Sequence, residues 1–136
     1  MEQRDYILRE IEKIGLLLRG IFNKLTGKGE DYALATEDHF EEAKELILRE
    51  TGFEIDLFLS LENSEIEHYI SEFEGIRESN VELLADVLKA VGMKIDPAKR
   101  KEYLERALYL YELCNSIDKT FSFDRESKIS EIKRIL

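Results

Sequence analysis

Cysteine, proline and histidine are scarce in this chain of 136 residues, which carries one, one and two of them. A single cysteine, Cys114, excludes an intramolecular disulfide and every metal site built from several thiolates, and it fits a reducing compartment. One proline and seven glycines leave most of the backbone free of breakers. Long apolar runs are missing as well. The longest near the N-terminus is Leu16–Leu17–Leu18, far short of a signal core or a membrane span. The opening residues Met1 to Asp5 already hold two acids, where a secretory signal carries net positive charge. These absences predict a soluble, cytoplasmic protein that does not enter membranes.

What the chain does have is charge, unevenly placed. Residues 1–28 hold four acids and six bases, and residues 76–136 hold eleven acids and twelve bases. Residues 29–75 hold fifteen acids against Lys44 and Arg49 alone, so the whole net charge of −10 sits in the middle third. Such a surface repels phosphate backbones and anionic lipid heads and attracts basic partners or cations. Nucleic acid and membrane are therefore not expected partners.

The length suits one domain, residues 1–136, able to bury about two-thirds of the surface its unfolded chain exposes. An apolar fraction of 43% beside 37% charged residues is the composition of a folded helical protein. Apolar residues recur at helical period throughout. Ile7, Ile11, Ile14, Leu18, Ile21 and Leu25 alternate steps of four and three, which predicts a long N-terminal amphipathic helix over residues 1–26. Leu8, Leu17 and Phe22 widen that seam. Gly15 and Gly20 lie on its flank, each costing about 1 kcal/mol against alanine unless packing offsets it.

Helical hairpins are predicted over residues 36–136. Thr36 reads as the cap of a helix carrying Phe40, Ala43, Leu46 and Ile47 and ending at Gly52, after a loop over 27–35. Phe53–Leu61 alternates like a strand, yet Phe58 breaks the alternation and no partner strand exists, so a short helix capped by Asp56 is expected. Ser64 with Glu67, and Ser79 with Glu82, have the spacing of capping boxes. The first opens a helix with Ile66, Tyr69, Ile70 and Phe73 inward and Gly75 beyond its end. The second opens the helix of Val81, Leu84, Leu88 and Val91, closing at Gly92. Asp96–Pro97 caps a helix that runs to about Ile117, and a last helix starts near Asp124. The fold class is all-α: about seven helices in antiparallel hairpins, of tetratricopeptide-like build or as an irregular bundle.

Two segments carry that likeness. Val81–x2–Leu84–Ala85–x2–Leu88 resembles the first helix of a tetratricopeptide repeat, and Ala107–x3–Tyr111–x2–Cys114 resembles the second. The stretch between them is about ten residues longer than in that repeat, Lys119 stands near the position of its proline, and no second copy recurs at a period near 34 residues. The resemblance implies helical hairpins and a protein-binding role. The opening Gln3 to Glu12, with Ile21–Phe22 and Gly27–Lys28, resembles the start of a family of small bacterial all-helical proteins of uncharacterised function. It implies no functional residue.

Glu65, His68 and Glu72 share one helix face, and Glu-x-x-His is the spacing that di-iron bundles use in pairs. The second motif is missing, because Thr36 stands three residues before His39. An exposed pair on an acidic helix is the plain alternative. Glu37, Asp38, Glu41 and Glu42 around His39 suit a helix dipole, or a weak calcium or magnesium site, without an EF-hand loop. Thr26–Gly27–Lys28–Gly29 lacks the preceding strand and the hydroxyl residue of a phosphate loop. Cys114 sits among apolar neighbours as an inert core thiol. Lys99, Arg100, Lys101 and Arg106 form a basic cluster suited to salt bridges with the acidic third. Of the tyrosines, Tyr103 and Tyr111 are expected inside and Tyr109 outside.

No catalytic residue and no cofactor emerges from these patterns. The expected function is a non-enzymatic protein-protein interaction or scaffold module. Its partner is protein, itself or another chain, and its candidate contact residues are Ile7, Ile11, Ile14, Leu18, Ile21 and Leu25. Whether that seam is core or a homodimer interface stays open at the level of periodicity. The alternative is a small metal- or ligand-binding bundle, or an enzyme built on one, using Glu65, His68 and Glu72 in the acidic third.

Overall fold

The computed structural model describes the backbone of residues 2–26, 32–73, 76, 78–95, 97–118 and 122–136, and the side chains of 9–25, 40–73, 76, 80–95, 97–117 and 122–136. The chain is all-α, with seven helices and no strand among the described residues. They are α1 (Glu2–Thr26), α2 (Tyr32–Thr51), α3 (Ile55–Ser60), α4 (Asn63–Ser71), α5 (Glu78–Lys94), α6 (Pro97–Asp118) and α7 (Phe123–Ile135). Several expected features fall on residues outside this description: the side chains of Ile7, Leu8, Thr36, His39 and Ser79, the Gly27–Lys28–Gly29 loop, Gly75 and Asp96.

Helix α5 is the centre. Val81, Leu84, Ala85, Val87, Leu88, Ala90 and Val91 are all buried, and a helix apolar around most of its girth has to be surrounded. It lies against α6 along its length, with α1 and α2 on its other sides, while α3 and α7 pack on α6. The seam of α1 faces inward here: Ile14, Leu18, Ile21 and Leu25 belong to the core. Tyr103 and Tyr111 are buried and Tyr109 is half-exposed, as the helical phase predicts. At Gly52 φ is +80°, a left-handed conformation that glycine adopts without strain, and its N–H closes on the Leu48 carbonyl at 2.8 Å.

Several helix ends differ from expectation. Helix α2 starts at Tyr32, so residues 32–35 are helix rather than loop and Thr36 lies inside it. Asp56 sits in the first turn of α3, which Glu54 precedes as cap residue. Helix α4 starts at Asn63, which places Ser64 within it. The reciprocal contact is made by Glu65, whose carboxylate accepts the Glu62 N–H at 3.2 Å. Arg106 of α6 sets this corner by donating to the carbonyls of Leu59 and Leu61 and to Asn63 Oδ1, while its guanidinium lies over the Phe58 ring. Gly92 does not close α5, which continues to Lys94. The glycine is buried at the crossing with α6, where an added Cβ would stand 2.9 Å from Leu104 Cδ2 and 3.2 Å from Tyr103 Cβ.

Candidate functional site

Of the seam of α1, Ile14, Leu18, Ile21 and Leu25 lie in the core and Ile11 is half-buried, so the outer crest of the helix is the face left exposed. Leu16 stands on that crest and is 72% exposed, a large apolar side chain left in water. Beside it α1 and α2 leave an open groove of about 300 Å³. Leu16, Leu17, Gly20, Ile21 and Leu25 form one wall, with Ala43 and Leu46 opposite, and Lys24 and Glu42 supply the charged groups of the lining. No cysteine, histidine, serine or tyrosine is among these lining residues. The groove therefore offers apolar contact and one charge of each sign.

The two glycines of α1 have different surroundings. A Cβ on Gly15 would meet Asn80 Oδ1 at 3.0 Å. Asn80 is itself buried at the α1–α5 contact, and its Nδ2 donates to the Ile11 carbonyl at 2.8 Å. Packing inside the chain thus accounts for Gly15. Gly20 has no atom within 4 Å of an added Cβ. It lines the groove, it costs the helix about 1 kcal/mol, and nothing within the described structure requires it.

The other sequence-derived candidates are dispersed. Glu65 is turned back to the start of α4. His68 is 84% exposed in its side chain and stands 3.6 Å from Glu72 Oε1, one turn on. Among the described residues no group of three or more His, Cys, Asp or Glu side chains gathers in a metal-holding arrangement. In the acidic third, Lys44 is folded between Glu41 at 2.7 Å and Asp56 at 3.1 Å. Burial works against its ammonium, yet those two carboxylates raise its pKa above the ordinary lysine value. The basic cluster divides: Arg100 donates to the Gly92 carbonyl at 3.1 Å, Lys101 pairs with Glu105 at 3.7 Å, and Arg106 holds the α3–α4 corner.

Sequence reasoning passed over the densest polar network of the molecule. Arg125 of α7 is buried, and its guanidinium donates to Glu82 Oε1 from Nε and Nη2 at 3.1 and 2.8 Å and to Asn115 Oδ1 at 2.8 Å. Lys128, one turn on, lies 2.9 Å from Asp86, 3.1 Å from Asp124 and 3.3 Å from Glu82. Tyr111 donates its hydroxyl to Asp86, and the Lys128 ammonium lies over its ring. Burial, then the Asp86 charge, pushes the Tyr111 phenol well above its ordinary value. Burial disfavours the Lys128 ammonium, but Asp86, Asp124 and Glu82 outweigh it and raise that pKa too. Every polar group here has a protein partner, so the network fastens α7 to α5 and α6. The signal in the sequence was faint: acids at 82 and 86 and bases at 125 and 128, both at helical spacing.

Fold and groove together define an all-α hairpin domain with an open apolar cleft between its first two helices. Among known proteins, no family model, no curated protein and no solved structure matches this chain. No described helix is long and apolar enough to cross a membrane.

Proposed function

We propose that this protein is a non-enzymatic protein-interaction module whose binding face is the α1–α2 groove, and that its occupant is an amphipathic helix bearing a leucine-like anchor. The observation that carries this reading is Gly20. A glycine held on the exposed face of a helix, with open space above it, leaves room for a second backbone to come close. The exposed Leu16 and the apolar walls supply the area that such a contact buries. The burial of Val81, Leu84, Ala85 and Leu88 on α5, and of Ala107, Tyr111 and Cys114 on α6, supports a tetratricopeptide-like hairpin as the scaffold behind this face. The single buried thiol of Cys114 supports a cytoplasmic location.

The test is fluorescence anisotropy with a labelled leucine–lysine amphipathic helix, at protein concentrations of a few micromolar and below. Native protein is expected to bind it, and Gly20→Gln, which fills the groove without touching the core, to bind at least about tenfold more weakly. Equal binding by the two proteins, or none by either, would refute the proposal.

A further inference from the structure

We infer that the helix received by the groove comes from a second copy of the same chain, so that the protein is a two-fold dimer through α1 and α2. This rests on reading the groove as a protein-binding face. In a two-fold contact one patch meets itself, so it must carry both the projection and the recess. This patch does: Leu16 projects at the edge of the groove lined by Gly20, and it can seat in the partner's groove while the partner's seats in its own.

Charge fits the same arrangement. Helix α1 carries five bases and four acids, whereas α2 carries six acids and two bases. The net charges are thus +1 and −4, and with each α1 lying over the α2 of the other copy the two acidic helices do not face each other. On the groove rim, Lys24 of each copy then meets Glu42 of the other. The overall charge of −10 opposes association of random faces, since most other surfaces of the middle third would bring acids together.

Size is adequate. Helices of 25 and 20 residues span roughly 37 and 30 Å. Side by side at about 10 Å spacing they present a face of roughly 600 Å² per copy. Two such faces reach about 1,200 Å², the lower limit of stable specific interfaces, which implies a dimer that dissociates on dilution.

Sedimentation equilibrium on the full chain, from low micromolar to near-millimolar concentration, tests this. The mass should climb from the 16.0 kDa of the monomer to twice that value. Gly20→Gln should stay monomeric throughout while its circular dichroism melt shows an intact fold. Lys24→Glu should weaken association by about tenfold or more, and adding Glu42→Lys should restore it. A native chain that is monomeric at every concentration overturns the dimer, as does a dimer indifferent to Gly20→Gln and Lys24→Glu. A monomeric chain that still binds the leucine–lysine helix through the groove sinks the dimer alone. A chain that neither dimerises nor binds that helix sinks both readings.

Discussion

Among the described residues three glycines lie inside helices, and replacing each by alanine should have three different outcomes. Removing a glycine from a helix interior gains about 1 kcal/mol in every case, because alanine loses less backbone freedom on folding. What differs is the space awaiting the new methyl. At Gly20 nothing lies within 4 Å, so the full gain of about 1 kcal/mol is kept. At Gly92 the methyl would stand 2.9 Å from Leu104 Cδ2, 3.1 Å from its Cγ and 3.2 Å from Tyr103 Cβ. The last two atoms are close to the α6 backbone and cannot swing aside. Overpacking of about 1–3 kcal/mol then cancels or exceeds the gain, for a net loss near 1 kcal/mol. At Gly15 the obstacle is Asn80 Oδ1 at 3.0 Å. A side-chain tip can yield, but this one is buried and its amide holds the Ile11 carbonyl, so gain and cost nearly balance. Urea unfolding at low micromolar concentration, below the range expected for association, reads the series directly. With m of about 1–3 kcal/mol/M, Gly20→Ala should raise the midpoint by about 0.5 M and Gly92→Ala should lower it by a similar amount. Equal shifts for all three would mean that propensity alone governs, and the packing argument would fail. A destabilised Gly20→Ala would refute the open space above that position.

The remaining expectations concern the network of α7, the pH profile and the thiol. Arg125→Ala leaves Glu82 and Asn115 without their buried guanidinium, at a cost of about 2–4 kcal/mol, whereas Lys13→Ala removes the exposed pair with Glu50 and costs under about 0.5 kcal/mol. Similar losses in urea for these two variants would count against a structural role for the network. Tyr111 and Lys128 both have pKa values raised by folding, so their stabilisation is complete below the unfolded values and is lost as pH climbs through the folded ones. Their contribution should be flat up to about pH 9 and fall from about pH 10, with a shallower fall in Tyr111→Phe. An identical alkaline fall in that variant would remove Tyr111 from the explanation. Cys114 is buried on α6, so its reaction with an aromatic disulfide reagent should be paced by opening of the chain and be faster in Gly92→Ala. Rapid labelling of the native protein would contradict that burial.

Much of the architecture was legible because a helix is a local object. The spacing of Ile14, Leu18, Ile21 and Leu25 named the apolar face of α1, though not whether the core or a second copy covers it, and the phases of Tyr103, Tyr109 and Tyr111 separated inside from outside. Pro97 marked a start and Gly52 an end, each through its own backbone preference. Phe53–Leu61 read as a short helix despite its alternation, since no second strand existed to pair with it. The start of α4 was not legible, because Arg106 settles it from 43 residues further along the chain. Nor was the buried state of Arg125, which depends on Glu82 at the same separation. Gly15, Gly20 and Gly92 look alike in one dimension and differ only in what faces them.

Period and propensity therefore determined the helices and their apolar sides, which are properties of single segments. The groove, the exposed crest of Leu16 and the partnership of buried charges belong to pairs of helices. Only tertiary structure decides them, because the distance between two helices is set by the side chains of both.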